Sequence, residues 1–359
     1  MASLIPDMLA KLQKLTLELR QVSIVLGGLL VLFFLTLITT GILLSFFYNP
    51  QPEETYRSMT AIVDNPFTSF IRNLHFWTTD LFLFTLFLHM TRVALTKPSG
   101  KPRRYAWWIG VGLFIMVSAE MLLGTFLRGD HESLEAYSHF FLGVTGVVGG
   151  YLPFVSVITD FFSGHVALFR FYIFHAVLIP FSIMALIVLH GVFAPTFRAL
   201  ATPFKKAADR MALGGLGAGT TASQHGVFSV PSVRKLAMTF AAAVALIIVL
   251  SLTLPAPFLT EPYAGIELTK PPWWLLWIYA LENVWGLTPL AFAPPILFGI
   301  FALIPLLTKE RQGADLGVYL YLTTIAVLIA LSFWAAASAP VAHTEHFVAE
   351  AEEAAAHAH

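Results

Sequence analysis

Four histidines sit in two matched pairs on two apolar stretches: His75 and His89 in FIRNLHFWTTDLFLFTLFLHMTR, His175 and His190 in FRFYIFHAVLIPFSIMALIVLHG. The first pair is 14 residues apart and the second 15. At about 1.5 Å of rise per helical residue, each step sets its two imidazoles roughly 21–22 Å apart along a helix axis. Fourteen residues is close to four whole turns, so the members of a pair share approximately one face. A lone histidine in a membrane helix is adequately explained by a hydrogen bond to a neighbouring helix. Two matched pairs ask for more. Two such helices side by side offer one His–His couple near each membrane surface. Two axial imidazoles per site is the ligation of a six-coordinate haem with no open position. The pattern predicts a one-electron path across a bilayer.

The elements that must position these residues are membrane spans. The 359-residue chain is 57% hydrophobic and only 12% charged, against about 25% charged residues in soluble proteins. Seven apolar stretches are long enough to cross a hydrocarbon core, near 21–48, 70–94, 107–127, 169–195, 233–256, 288–307 and 315–338. The expected fold is an all-α integral membrane protein, a four-helix haem-binding bundle followed by three further spans. The apolar stretch 139–163 carries Gly146, Gly149, Gly150 and Pro153, which suit short surface helices better than a span. There is no cysteine, which excludes disulfides, thiolate-held clusters and covalent haem c, so haem would be held as two non-covalent b haems. Net charge is zero, and nothing points to nucleic acid.

Charge orients the spans. Lys11, Lys14 and Arg20 precede the first span. Alternate loops then carry Arg92, Lys97, Lys101, Arg103 and Arg104, then Arg198, Lys205, Lys206, Arg210, Arg234 and Lys235, then Lys309 and Arg311. These hold 16 of the 21 basic residues, and the intervening loops are acidic. The positive-inside rule therefore predicts a cytoplasmic N-terminus and an external, periplasmic C-terminus in the inner (cytoplasmic) membrane. The opening segment MASLIPDMLAKLQKLTLELR is amphipathic and basic and lacks the apolar core and cleavage site of a signal peptide. Residues 1–210 read as a four-span di-haem domain and 211–232, rich in Gly and polar residues, as a linker. Residues 233–340 read as a three-span domain and 341–359 as a polar Ala/Glu/His tail, solvated or helical rather than a metal site.

Further residues fall into step with the histidines. Gly27 and Gly41 are 14 apart on the first span, and Gly110 and Gly124 are 14 apart on the third. Any one of them fits ordinary small-residue helix packing, but the repeated spacing favours porphyrin faces lying against these helices. Arg72 and Arg92 lie three residues outside His75 and His89, and Arg170 lies five before His175. Haem propionates near both surfaces would give these arginines charged partners. Asp80 and Glu120 fall inside spans, where a carboxylate is either functional or protonated and hydrogen-bonded.

Together these residues resemble cytochrome b of the Rieske/cytochrome b complexes, the bc- and bf-type quinol-oxidising assemblies, as a chain in which cytochrome b is fused to a subunit-IV-like part. TGILLSFFYNP at 40–50, RNLH, HMTR and the two glycine pairs match the family pattern. The 15-residue step with Pro180 inside it, and KPRRYAWWIG at 101–110, are similar to the split photosynthetic and Gram-positive-like branch. KPPWWLLWIYALENVW at 270–285 resembles the segment bearing the family's Pro-Glu-Trp-Tyr quinol motif.

The resemblance implies an outer, low-potential haem on His75 and His175 and an inner, high-potential haem on His89 and His190. It also implies quinone sites near both surfaces, a Rieske iron–sulfur protein or other redox subunit, a c-type cytochrome and a homodimeric complex. It places the outer quinol site near Gly146, Pro153, Pro271, Pro272, Trp273, Trp274 and Tyr279.

Two departures stand out. Pro272 occupies the place of the proton-accepting glutamate, and proline does no acid–base work. The family's Leu-Pro-Trp after the third span is replaced by Leu127-Arg128-Gly129, followed by Asp130 and His131. Glu282, ten residues past Pro272, is either a substitute base or a plain loop carboxylate. The competing readings are a di-haem membrane anchor that serves a non-Rieske partner without splitting electrons, and a haem-free transporter or scaffold.

Overall fold

The computed structural model describes residues 4–96, 98–149, 152–193, 233–263, 269–309 and 315–341. The expected linker at 211–232 and nearly all of the tail at 341–359 lie outside them. Among the described residues the chain is helical with no strand. The first half comprises α1 (Leu4–Ser45), α2 (Pro52–Asp64), α3 (Pro66–Leu95), α4 (Lys101–Phe126), α5 (His131–Val148), α6 (Pro153–Phe161), α7 (Ala167–Ile173), a π-helical turn (Phe174–Leu178) and α8 (Ile179–Phe193). The second half comprises α9 (Val233–Thr253), α10 (Leu276–Trp285), α11 (Thr288–Leu307) and α12 (Leu316–Ala337).

Local chemistry sets the boundaries. Asn65 caps α3, its side-chain oxygen accepting from the backbone N–H groups of Phe67 and Thr68 at 3.0 and 3.3 Å, with Pro66 preset for the first turn. Asp130 starts α5 in the same way, accepting from Ser133 N at 3.1 Å, and Asp315 starts α12 through Val318 N at 3.2 Å. The tight link from α4 to α5 needs a glycine. Gly129 has φ +68°, and a Cβ there would come within 2.4 Å of the Thr55 methyl.

Six helical stretches are long and apolar enough to cross a membrane: Ile24–Ser45, Arg103–Phe126, Ala167–Phe193, Arg234–Thr253, Thr288–Leu307 and Leu316–Ala337. They match six of the seven expected spans. The remaining one, expected at 70–94, is α3, a continuous 30-residue helix. Arg72, Asn73, His75, Asp80, His89 and Arg92 hold it below the same apolarity. The 139–163 stretch forms α5 and α6, as its Gly and Pro content suggested, but α5 starts earlier, at His131.

α3 packs along α1, and α4 along α8, forming the four-helix bundle. The two halves share one apolar core. Phe33 and Phe34 of α1, Phe82 and Leu86 of α3, Trp107 and Phe114 of α4 and Ile183 of α8 join Ile247, Phe301, Ile304 and Tyr321 of the second half. Leu35, Phe84, Phe181, Val188, Leu252, Ile296 and Phe333 face outward, the apolar exterior a lipid solvent requires. Interhelical hydrogen bonds stitch the halves, each replacing an unmet polar group in hydrocarbon. Trp107 and Trp108 donate their indole N–H groups to the carbonyls of Phe301 and Ala302 at 2.7 and 2.9 Å, and Thr91 and Tyr321 hydroxyls meet at 2.8 Å.

Candidate functional site

The four histidines meet as two couples. His75 faces His175 with ring centres 6.3 Å apart, and His89 faces His190, also at 6.3 Å. The rings of each couple stand edge-on, at 68° and 64° between planes, so neither couple is stacked. An imidazole nitrogen lies about 2 Å from a metal it ligates, and the ring centre about 1 Å behind it, so two imidazoles on one metal have centres roughly 6 Å apart. Both couples match that spacing.

The equality is notable because the sequence steps differ. An uninterrupted α-helix turns about 100° per residue, so fifteen residues would leave His190 about 60° round from His175. The π turn absorbs the difference. It begins immediately before His175, and Ile179 N–H bonds to the Phe174 carbonyl, five residues back. A π turn holds one residue more than an α turn. Pro180 next to it has no N–H to donate, which relaxes the local demand for α geometry. The extra residue is thereby taken up, and His190 returns to the face His175 occupies.

Hydrogen bonding sets the proton position on two of the rings. Thr40 Oγ1 lies 2.8 Å from His75 Nδ1 and directs its own proton to the Thr36 carbonyl at 2.8 Å. It therefore accepts from Nδ1–H. His175 Nδ1 lies 3.1 Å from the Glu120 carbonyl, which can only accept. Both rings thus carry the proton on Nδ1 and keep the Nε2 lone pair for a metal. The Nδ1 atoms of His89 and His190 are buried without a hydrogen-bond partner among the described residues. His190 Nδ1 faces the Ala106 carbonyl without meeting hydrogen-bond geometry.

Each expected glycine backs one imidazole. An added Cβ would stand 4.0 Å from His89 Cε1 at Gly27, 3.5 Å from His75 at Gly41, 3.5 Å from His190 at Gly110 and 3.0 Å from His175 at Gly124. Facing, half-buried imidazoles, an Nε2 lone pair on His75 and His175 and glycine clearance behind every ring fit two bis-His haems. No group of three or more His, Asp or Glu side chains among the described residues is arranged to hold a metal ion.

The arginines take varied positions. Arg72 donates to the carbonyls of Ala256 and Pro257 at 3.0 and 2.5 Å, and its guanidinium lies 5.5 Å from the Phe258 ring centre. Arg170 donates to the Phe161 carbonyl and covers that ring at 4.4 Å. Arg92 lies in the last turn of α3. Asn73 and Trp77 bind the same segment as Arg72. Asn73 donates to Ser251 O at 3.1 Å and accepts from Ala256 N at 3.0 Å, while Trp77 donates to Leu254 O at 2.8 Å. The chain leaving α9 is therefore laced onto the His75 end of α3.

The expected quinol residues lie on the segment before α10, on α10 itself, and on α5 and α6. Pro271 and Pro272 lead into a turn closed by Leu275 N–H to the Pro272 carbonyl at 2.8 Å. Trp273 donates to Asp80 Oδ1 at 2.9 Å, and Trp274 packs on the main core. Gly146 lies in α5 and Pro153 opens α6. Tyr279 is fully buried, its hydroxyl accepting from Val341 N at 2.8 Å.

Glu282 is a helix residue rather than a loop carboxylate, because α10 runs on past Tyr279 to Trp285. It is 3% exposed. Its Oε2 lies 3.7 Å from His139 Nδ1, and its Oε1 has no hydrogen-bond partner among the described residues.

His139 belongs to a row that sequence reasoning passed over. His131, Glu135 and His139 recur every four residues on one face of α5. His131 Nε2 stands 2.9 Å from Glu135 Oε1, its ring stacks on Tyr263 at 4.1 Å, and Glu135 accepts from Thr269. The i, i+4 spacing was the available signal. At the head of α5, fully buried Asp130 and its neighbour Glu132 both pair with Arg128. Burial pushes the Glu132 carboxyl above its usual range, with Arg128 pulling it back down.

Comparison with known proteins points to one family. The family model described as cytochrome b/b6/petB matches residues 14–197, 184 of the 359 residues. Cytochrome b6 of Heliobacterium mobile is 31% identical over 172 residues, which is 46% of this chain and 78% of the relative. Cytochrome b6 of Prochlorococcus marinus strain MIT 9211 is 28% identical over 175 residues, 46% of this chain and 77% of the relative. A solved chain of a hyperthermophilic respiratory Complex III superposes with a TM-score of 0.59 at 17% identity, covering 87% of this chain and 89% of its own length, a likeness of fold. The matched residues contain both histidine couples and all four glycines, and the chain belongs to the cytochrome b/b6 family.

Proposed function

We propose that this chain is the di-haem cytochrome b subunit of a membrane quinol oxidoreductase complex, with α3 as a seventh span. The observation that carries this reading is the pair of facing imidazole couples with equal 6.3 Å separations. His75 and His175 would hold one haem, near the external surface, and His89 and His190 the other, near the cytoplasm. Bound haem supplies a one-electron carrier at each position. The chain's own residues hold and orient it. Thr40 and the Glu120 carbonyl fix the Nδ1 protons, and Gly27, Gly41, Gly110 and Gly124 leave room behind the rings. Arg72, Arg92 and Arg170 lie toward the helix ends, where they would be the charged partners of haem propionates.

Quinol oxidation at the outer surface needs a base where Pro272 offers none. Glu282 fills that role in this reading: its buried Oε1 takes the hydroxyl proton, and His139 stabilises the arrangement from 3.7 Å. Partners of this function are a Rieske iron–sulfur protein or another redox subunit, a c-type cytochrome and a second copy of the chain. The proline at 272 favours one alternative, a di-haem conduit from quinone to a non-Rieske partner without electron splitting.

The test is the purified complex. A pyridine haemochrome assay should give two b haems per chain, and a Rieske iron–sulfur signal should co-purify. One haem or none per chain overturns the di-haem reading. Two haems with a different redox subunit, and no inhibitor-sensitive quinol oxidation, select the conduit.

A further inference from the structure

The four imidazoles differ in what stands behind them. His75 donates to a neutral hydroxyl, that of Thr40. His89 and His190 have buried Nδ1 atoms without a hydrogen-bond partner among the described residues. Among the described residues His175 alone of the four has a carboxylate there: Glu120 Oε1 lies 3.1 Å from its Nδ1, the same distance as the Glu120 carbonyl that takes the Nδ1–H bond. The other carboxylate oxygen, Oε2, is buried without a partner. Glu120 sits on α4 four residues before Gly124, the glycine that backs the same ring most closely. One helical turn of α4 thus presses on His175 from behind with a carboxylate, a carbonyl and a bare backbone.

We propose that Glu120 is a positioning residue that tunes the site formed by His75 and His175. A carboxylate facing Nδ1–H draws the proton toward itself and makes Nε2 a stronger donor, the effect of carboxylate–histidine–metal triads. A stronger axial donor, with negative charge in a low-dielectric surround, favours the more positive ferric iron over the ferrous one. Glu120 therefore lowers the potential of the His75/His175 haem, and among the described residues no carboxylate stands behind His89 or His190 to do the same there. The direction of electron flow along the bundle is set in part by this one side chain. This inference rests on the di-haem reading above.

The test is a redox titration of the purified complex and its Glu120→Gln and Glu120→Ala variants, with haem content measured in parallel. Glutamine keeps the size and removes the charge. Alanine keeps the backbone carbonyl. With two haems bound, the variants should raise the lower of the two midpoints while the higher stays in place. The expected shift is at least tenfold in the reduced-to-oxidised ratio at fixed potential, about 59 mV for one electron. Two haems bound and both midpoints unmoved overturns the role of Glu120. Fewer than two haems in the unsubstituted protein overturns the di-haem reading instead. If the variants lose haem, the unsubstituted protein decides: near-infrared magnetic circular dichroism of its ferric haems should show one charge-transfer band displaced to higher energy, as stronger imidazole donation requires. Two coincident bands overturn the proposal.

Discussion

The two histidine couples have the same separation and opposite surroundings. At the His75/His175 end, Thr40 and Glu120 engage the rings, and Gly124 leaves only 3.0 Å to a Cβ. The segment leaving α9 is bound there by Arg72, Asn73 and Trp77. At the His89/His190 end, both Nδ1 atoms lack a hydrogen-bond partner among the described residues, and Gly27 leaves 4.0 Å. Ring separation determines what each couple can hold. The groups behind the rings determine how firmly it is held and at what potential. A protein that moves electrons one way needs the first property duplicated and the second made unequal.

The strongest way to break the comparison is to remove one couple. His175→Ala should reduce haem from two per chain to one by pyridine haemochrome assay, and His190→Ala should do the same for the other haem. Loss of both haems from either single substitution would make the couples one cooperative unit rather than two sites.

Glu282→Gln should slow quinol oxidation by about 10²–10⁴-fold, the usual loss of a general base, with haem content and midpoints unchanged. Unchanged turnover would remove Glu282 as the base and leave the surroundings of the His75/His175 end without a proton role.

Thr40→Val sharpens the contrast between hydrogen-bonded and bare rings. It removes the hydroxyl that accepts from His75 Nδ1–H, and comparable changes behind a metal ligand cost about 10–100-fold in affinity. Haem occupancy at the lower-potential site under limiting haem supply should fall while the other site fills normally. Equal filling would show that the hydroxyl does not orient the ring.

The smallest effect concerns the glycines. Alanine in place of Gly gains about 1 kcal/mol of helix propensity. At Gly27 the 4.0 Å clearance accommodates the methyl group, so Gly27→Ala should leave thermal bleaching of the haem absorbance unchanged or raise its midpoint. At Gly124 the 3.0 Å approach forces His175 to shift, an overpacking cost of about 1–3 kcal/mol. Gly124→Ala should lower the bleaching midpoint. Equal responses would mean that both rings have the same freedom.

Much of this was legible in the residue order. The spans at 107–127, 169–195, 288–307 and 315–338 fall within a few residues of α4, α7–α8, α11 and α12, because apolar length is a property of a continuous stretch. The matched spacing put the glycines in step with the histidines, while the ring that each glycine backs emerges only from the packed helices. The row His131, Glu135 and His139 shows the same i, i+4 spacing in the sequence, but it lies mostly ahead of the apolar stretch 139–163, among acidic residues that read as a loop. Glu282 was harder. Nothing near it separates a buried helical carboxylate from a loop one until α5 is packed against α11 and His139 is brought within 3.7 Å of it.

By itself, then, the sequence determined what runs along a single chain axis: which stretches are apolar and helical, and which residues of an unbroken α-helix share a face. These depend on helix rise and periodicity, which are local. The tertiary structure alone decided what lies across from what. That Thr40 serves His75, that Glu120 stands behind His175, and that a π turn brings a fifteen-residue step back into register all depend on two helices meeting at a particular rotation. That rotation comes from packing of the shared core, an energy summed over residues far apart in the chain.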